Sequence, residues 1–143
     1  YRDYSSKTSG TDWKVPRVEL TTYLHPVGGR DHSHVAAVYH ERKANSEGIN
    51  GQLGTRGPDN QFKWTHASQP EERSAGRLRM TRKGKRIYHL AAPPGSEDWT
   101  LVTTHDLENE ELRQLIFTLN SADLASEATT TFTNITFRAN KIE

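Results

Sequence analysis

The chain has 143 residues, room for one domain and scarcely for two. Only 32% of the residues are hydrophobic, but the net charge of +1 removes the self-repulsion that disorder by composition requires. There is no cysteine, so disulfides and thiolate metal centres are excluded, and no apolar run is long enough to span a membrane as a helix.

Residues 1–12 are polar and rich in Ser, Thr and Gly, the composition of a linker or loosely held arm. A single domain is expected over residues 13–143, and a chain beginning at Tyr1 reads as an excised piece of a longer protein or a processed one. Val18, Leu20, Thr22 and Leu24 alternate with Arg17, Glu19 and Thr21, the period of a half-buried strand that Pro26 ends. Val35, Ala37 and Tyr39 alternate with Ala36, Val38 and His40, which predicts a central strand covered on both faces. Residues 43–59 contain Gly48, Gly51, Gly54 and Gly57 and read as a loop of tight turns or close backbone approaches. Phe62 and Trp64 mark a short strand after it.

The clearest local signal follows. Leu78 and Met80 alternate with Arg77, Arg79 and Thr81, Lys83-Gly84-Lys85 turns, and residues 86–91 return as the second arm of a β-hairpin. Trp99, Leu101 and Thr103 share one side of another strand. Asp106, with Glu108, Glu110 and Glu111, carries the acids of a helix's first turn. Leu115, Phe117 and Leu119 alternate again, and residues 131–137 do so once more as a closing strand. Short strands, sixteen threonines and the lack of any long helical period predict an all-β, two-sheet antiparallel sandwich or jelly roll. A sandwich also suits the thin apolar content, because each strand gives only alternate residues to the interior.

The order of phrases in the second half is specific: Gly76-Arg-Leu-Arg-Met-Thr-Arg, Tyr88, Gly95, Trp99-Thr-Leu-Val, Leu115-Ile-Phe-Thr-Leu-Asn-Ser and Thr131-Phe-Thr-Asn-Ile-Thr-Phe. It resembles the concanavalin-A-like jelly roll in its laminin-G-like bacterial form, and an uncharacterised bacterial domain family of that fold. The likeness covers residues 76–142. It implies an accessory module, extracytoplasmic or at the cell surface, that binds carbohydrate or a protein partner. At Thr133-Asn134-Ile135 the chain lacks the acidic residue usual before the Asn, so no calcium or sugar site carries over there.

Catalysis finds little footing. A retaining glycosidase needs two carboxylates about 5 Å apart, and the chain has no Glu-x-Asp-x-x-Glu run to supply them on one strand. Glu71-Glu72, Glu97-Asp98 and residues 108–111 read as solvated turns. There is no nucleophile elbow and no phosphate-cradling loop. No catalytic residue and no cofactor is therefore expected, and a polysaccharide hydrolase is the weakest of three readings.

Three features remain for binding. His32 and His34 share a face if extended, and His25 or Asp31 would have to complete a metal site. Two polar residues at a strand start is the better reading, so no metal is expected. Arg77, Arg79, Arg82, Lys83, Lys85 and Arg86 form a basic cluster suited to acidic polysaccharide, although outward strand positions are where charge ordinarily sits. With no aromatic interleaved among these cations, nucleic acid is not an expected partner. Of Trp13, Trp64 and Trp99, the last reads as core. Core packing also outweighs binding at Trp64. Even so, the stretch from Asn50 through Asp59 and Asn60 to Trp64 is the best candidate for a glycan site. The ligand-binding candidates are thus Asn50, Asp59, Asn60, Trp64, Arg77 and Arg79.

Overall fold

The computed structural model describes residues 3–8, 17–26, 31, 33–43, 46–71, 73, 75–120 and 128–138. They form a β-sandwich of ten strands in two antiparallel sheets, with no helix among the described residues. The β3 sheet has the order β5 (Phe62–Pro70), β4 (Ser46–Arg56), β3 (His34–Lys43), β2 (Arg17–Pro26), β9 (Glu110–Asn120). The β6 sheet has the order β10 (Ala128–Thr130), β1 (Asp3–Thr8), β6 (Ala75–Lys83), β7 (Arg86–Ala92), β8 (Thr100–Asp106). No helix among the described residues is long and apolar enough to cross a membrane.

The alternation read from the sequence decides which side chains meet between the sheets. Val18, Leu20, Val38 and Ile49 from one sheet pack with Leu78 and Val102 from the other, and Leu115, Phe117 and Leu119 of β9 join them. Leu24, Ala36, Leu53, Ile87 and Leu107 form a second cluster, with Met80 packed against both. Full burial of each large aliphatic contributes about 1.5–3 kcal/mol. β3 lies in the middle of its sheet, and both of its faces are buried, as its apolar alternation predicts. The hairpin of β6 and β7 also forms as expected, with Lys83 opposite Arg86 and Gly84 at φ 57 in the turn.

Three local expectations are corrected. Residues 43–59 are not a loop: most of the stretch is β4, a strand paired on both sides. Its glycines serve close approach instead of turning. A Cβ on Gly51 would lie 2.5 Å from Thr103 Cγ2 and 3.0 Å from His89 Cβ across the sandwich, and one on Gly54 would lie 2.7 Å from the Trp64 ring. The acids from Asp106 do not start a helix. The Asp106 carboxylate is held by Arg86 Nε at 2.7 Å, and Glu110 already pairs with Pro26 as β9 begins.

The closing strand is short. Only Ala128–Thr130 pair with β1, and Asn134, at φ 52, interrupts the extended backbone that residues 131–137 would need. Within residues 1–12, read as a polar arm, Asp3–Thr8 is β1 and pairs with both β10 and β6.

Candidate functional site

Two outer faces are open to partners, and the sequence candidates fall on both. On the β3 sheet the outward rows run across the register. Tyr39 stands opposite Asn50, and Asn50 opposite Ser68; Val35 stands opposite Gly54, and Gly54 opposite Trp64. This face is divided in two by exposure. On its β2–β3 half, Glu19, Thr21, Val35, Ala37 and Tyr39 are buried although they point away from the sandwich interior. They are also satisfied. Thr21 donates to the Glu19 carboxylate, and Arg17 Nε lies 3.2 Å from that carboxylate. The Arg17 guanidinium lies 5.1 Å from the centre of the Tyr39 ring, and Tyr39 donates to Gln52 Oε1 at 3.4 Å. Burial, and secondarily the Glu41 charge, raises the Tyr39 phenol above its ordinary value.

The β5 edge is open, and beyond the buried rows the β9 edge exposes Gln114. Trp64 is 49% exposed, and His66 and Ser68 follow it on the same face, exposed, at the two-residue period of a strand. Phe62 precedes them, half-buried, with its ring centre 5.7 Å from that of Trp64. Core packing, the stronger sequence reading of Trp64, is thus corrected. The ring covers Gly54 and leaves its other side to solvent, because no side chain lies beneath it to draw it inward.

This open strip ends in a depression of about 290 Å³ lined by Glu41, Glu47, Asn50, Ser68, Gln69 and Pro70. Asn50 is only 6% exposed, and its Oδ1 accepts a hydrogen bond from Ser68 Oγ. Behind the pocket, His40 Nε2 lies 3.3 Å from Glu47 Oε1. Burial pushes the His40 imidazole down to about 4 and raises the Glu47 carboxyl. Asp59 and Asn60 lie beyond the other end of the strip, in the β4–β5 turn. Asp59 Oδ1 accepts from Gln61 N at 3.1 Å and Asn60 sits at φ 65, so both shape the turn.

Arg77 and Arg79 lie elsewhere, on the outer face of the β6 sheet. Their guanidinium carbons are 5.2 and 5.5 Å from the centre of the Trp99 ring, and Arg77 Nη1 is 2.9 Å from Glu97 Oε1. Trp99 donates to Glu97 Oε2 at 3.3 Å, so it stands on the outer face under two cations and not in the core expected of it. The basic cluster is largely spoken for: Arg79 donates to Thr81, Arg82 to the Gly84 and Glu110 carbonyls, and Arg86 to Asp106.

The metal reading gains no support. His34 Nδ1 lies 2.9 Å from Ser33 Oγ and 3.2 Å from Glu110 Oε1, while His32 lies outside the described residues, as does Trp13. Among the described residues no group of three or more His, Cys, Asp or Glu is placed to hold a metal ion.

The structure therefore joins Asn50 and Trp64 on one face, sets Asp59 and Asn60 at its margin, and separates Arg77 and Arg79 from it. Sequence reasoning missed Gln52, His66 and Ser68. Their signal was the two-residue period shared with Asn50 and Trp64, hidden where β4 was read as a loop. Residues 10–143 match the profile of a family described as "Protein of unknown function (DUF1583) C domain". No curated protein and no solved structure matches the chain.

Proposed function

The chain belongs to the DUF1583 C-domain family, and on that premise we propose that it is a non-catalytic carbohydrate-binding module of a larger bacterial protein, extracytoplasmic or at the cell surface. The observation that carries this reading is Trp64, exposed and laid over Gly54, in line with His66 and with Ser68 at the Asn50 depression. A sugar ring offers a flat C–H face and a rim of hydroxyls. An aromatic surface bordered by amide, hydroxyl and imidazole groups complements both, and a ring already held in place loses little entropy on binding.

The sandwich is, in this proposal, a concanavalin-A-like jelly roll. In support, the chain crosses between sheets after β1, β5, β8 and β9, and the early strands β1 and β2 are paired with the late strands β10 and β9.

A glycan array containing neutral and sulfated polysaccharides, read at low and moderate salt, tests the function. Salt-resistant binding to a neutral glycan, weakened in Trp64→Ala, is expected. Retention of every glycan affinity by Trp64→Ala overturns the site. Binding confined to sulfated glycans and abolished by salt would move the site to the β6 sheet around Arg77 and Arg79. A second reading, a protein-interaction or spacer domain, draws on Ile135 and Phe137, which are 55% and 46% exposed. Binding to no glycan, together with capture of the parent protein's other domains, would favour it.

A further inference from the structure

We infer that the β5 edge takes a linear oligosaccharide lying parallel to the strands, stacked at one end on Phe62 and Trp64 and hydrogen-bonded at the other in the Asn50 pocket. This rests on the carbohydrate reading and narrows it to a chain direction and a minimum length.

The direction follows from what is open and what is closed. A ligand crossing the sheet would have to pass over Gln52, Tyr39 and Thr21, but Tyr39 and Thr21 are buried, already hydrogen-bonded and, unlike the equally buried Asn50, outside the depression. On the β5 side of that buried band the exposed side chains follow one strand, from Trp64 through His66 to Ser68, with Phe62 half-buried before them, and Gln114 of β9 is exposed only beyond the band. The accessible surface on this side is therefore a strip along an edge, and a ligand aligned with β5 covers it.

The length follows from the register. Trp64 stands opposite Gly54 and Ser68 opposite Asn50, four positions further along each strand. At about 3.3 Å per residue the two anchor points are roughly 13 Å apart. One hexose ring does not bridge that gap, and a disaccharide falls short of it.

The chemistry differs along the strip in the same order. Phe62 and Trp64 offer stacking surface, and His66 offers ring nitrogens that donate or accept. The depression offers Ser68, Gln69 and Asn50 between the carboxylates of Glu41 and Glu47. Hydroxyl groups of a sugar can donate to those carboxylates and accept from the Asn50 amide, Gln69 Nε2 being given to the Leu101 carbonyl at 2.6 Å. Pro70, the last residue of β5, lines the depression, so the strip ends there.

The test is calorimetric titration of the intact chain with size ladders, from two to six units, of β-1,3- and β-1,4-linked gluco-oligosaccharides and β-1,4-linked manno-oligosaccharides. Affinity for the bound series should climb by at least about tenfold between two and four units and then level off. Trp64→Ala and Asn50→Ala should each weaken the longest oligomer by about tenfold. Against the dimer, only one of the two substitutions should matter. Ser68→Ala, at an exposed position, probes the pocket end if Asn50→Ala fails to fold.

Binding that does not change with length beyond two units overturns this inference and leaves the carbohydrate reading standing. So does a longest oligomer that feels Trp64→Ala but neither Asn50→Ala nor Ser68→Ala. If no series and no arrayed polysaccharide binds, both readings fall together.

Discussion

Trp64 and Trp99 stand on opposite outer faces of the same sandwich, and only one of them is available. Trp99 is covered by the guanidinium groups of Arg77 and Arg79, and its indole N–H is given to Glu97. Trp64 lies over a glycine, has Phe62 beside it, and leaves half its surface to solvent. The same residue type is a structural clamp in one setting and a free platform in the other. What decides is the neighbours: cations and a carboxylate saturate the first ring, and the absence of a Cβ at position 54 both seats the second and leaves it uncovered.

That contrast is sharpest under exchange of the two rings for alanine. Trp64→Ala should weaken glycan binding by about tenfold while lowering stability by less than about 1 kcal/mol, since the position is half-exposed. Trp99→Ala should leave binding intact and cost about 2 kcal/mol, because Arg77 and Arg79 lose their aromatic cover. Urea denaturation and titration calorimetry on both variants check this, and equal stability losses would erase the distinction.

A second effect comes from the interior that both faces share. His89 is fully buried, its ring centre 5.2 Å from that of His105, and neither of its nitrogens has a hydrogen-bond partner among the described residues. Burial, and secondarily the His105 charge, lowers its imidazole to about 3, while burial lowers His40 to about 4. Burial likewise lowers His105. The unfolded chain, with histidines near 6.5, takes up protons that the folded chain refuses. Stability is therefore complete above about pH 6.5 and falls as pH drops towards the folded values. Denaturation midpoints measured down to pH 4 should decline, and His89→Leu should flatten the decline. Glycan binding lost in step with that decline reports the interior and not the strip.

A smaller effect separates the two glycines of β4. Gly54→Ala should displace the Trp64 ring and weaken binding several-fold, with the indole free to swing into solvent. Gly51→Ala should instead destabilise by about 1–3 kcal/mol, because Thr103 and His89 are packed between sheets and cannot swing clear. Binding unaffected by Gly54→Ala would show that the ring's seat is unimportant. The smallest effect is at Arg86, whose pair with Asp106 is solvent-exposed on both sides. Arg86→Ala should leave both the melting temperature and glycan binding unchanged within error.

Much of this was legible in the order of residues. Period-two alternation in β2, β3, β6 and β9 marked the strands and their inward faces, because a strand must send successive side chains to opposite sides. Gly84 between Lys83 and Lys85 marked a turn, since glycine accepts a left-handed backbone at no steric cost. Asn50 and Trp64 were singled out together, although on the premise of a loop.

The rest depended on what lies far along the chain. The glycines of β4 carry no side chain and so no pattern. Their purpose appears only once Thr103 and His89 arrive from the other sheet and Trp64 from the neighbouring strand. The acids at residues 106–111 resembled a helix start because local capping chemistry is all that a short window contains, whereas Arg86 and β2 claim Asp106 and Glu110 from outside it. By itself the sequence determined the extended runs of β2, β3, β6 and β7 and the apolar faces of those strands. Those properties follow from backbone sterics and hydrophobicity at short range. Tertiary structure alone decided which tryptophan is free and which arginines are occupied. Availability is set by partners brought close in space, and no spacing within one strand encodes them.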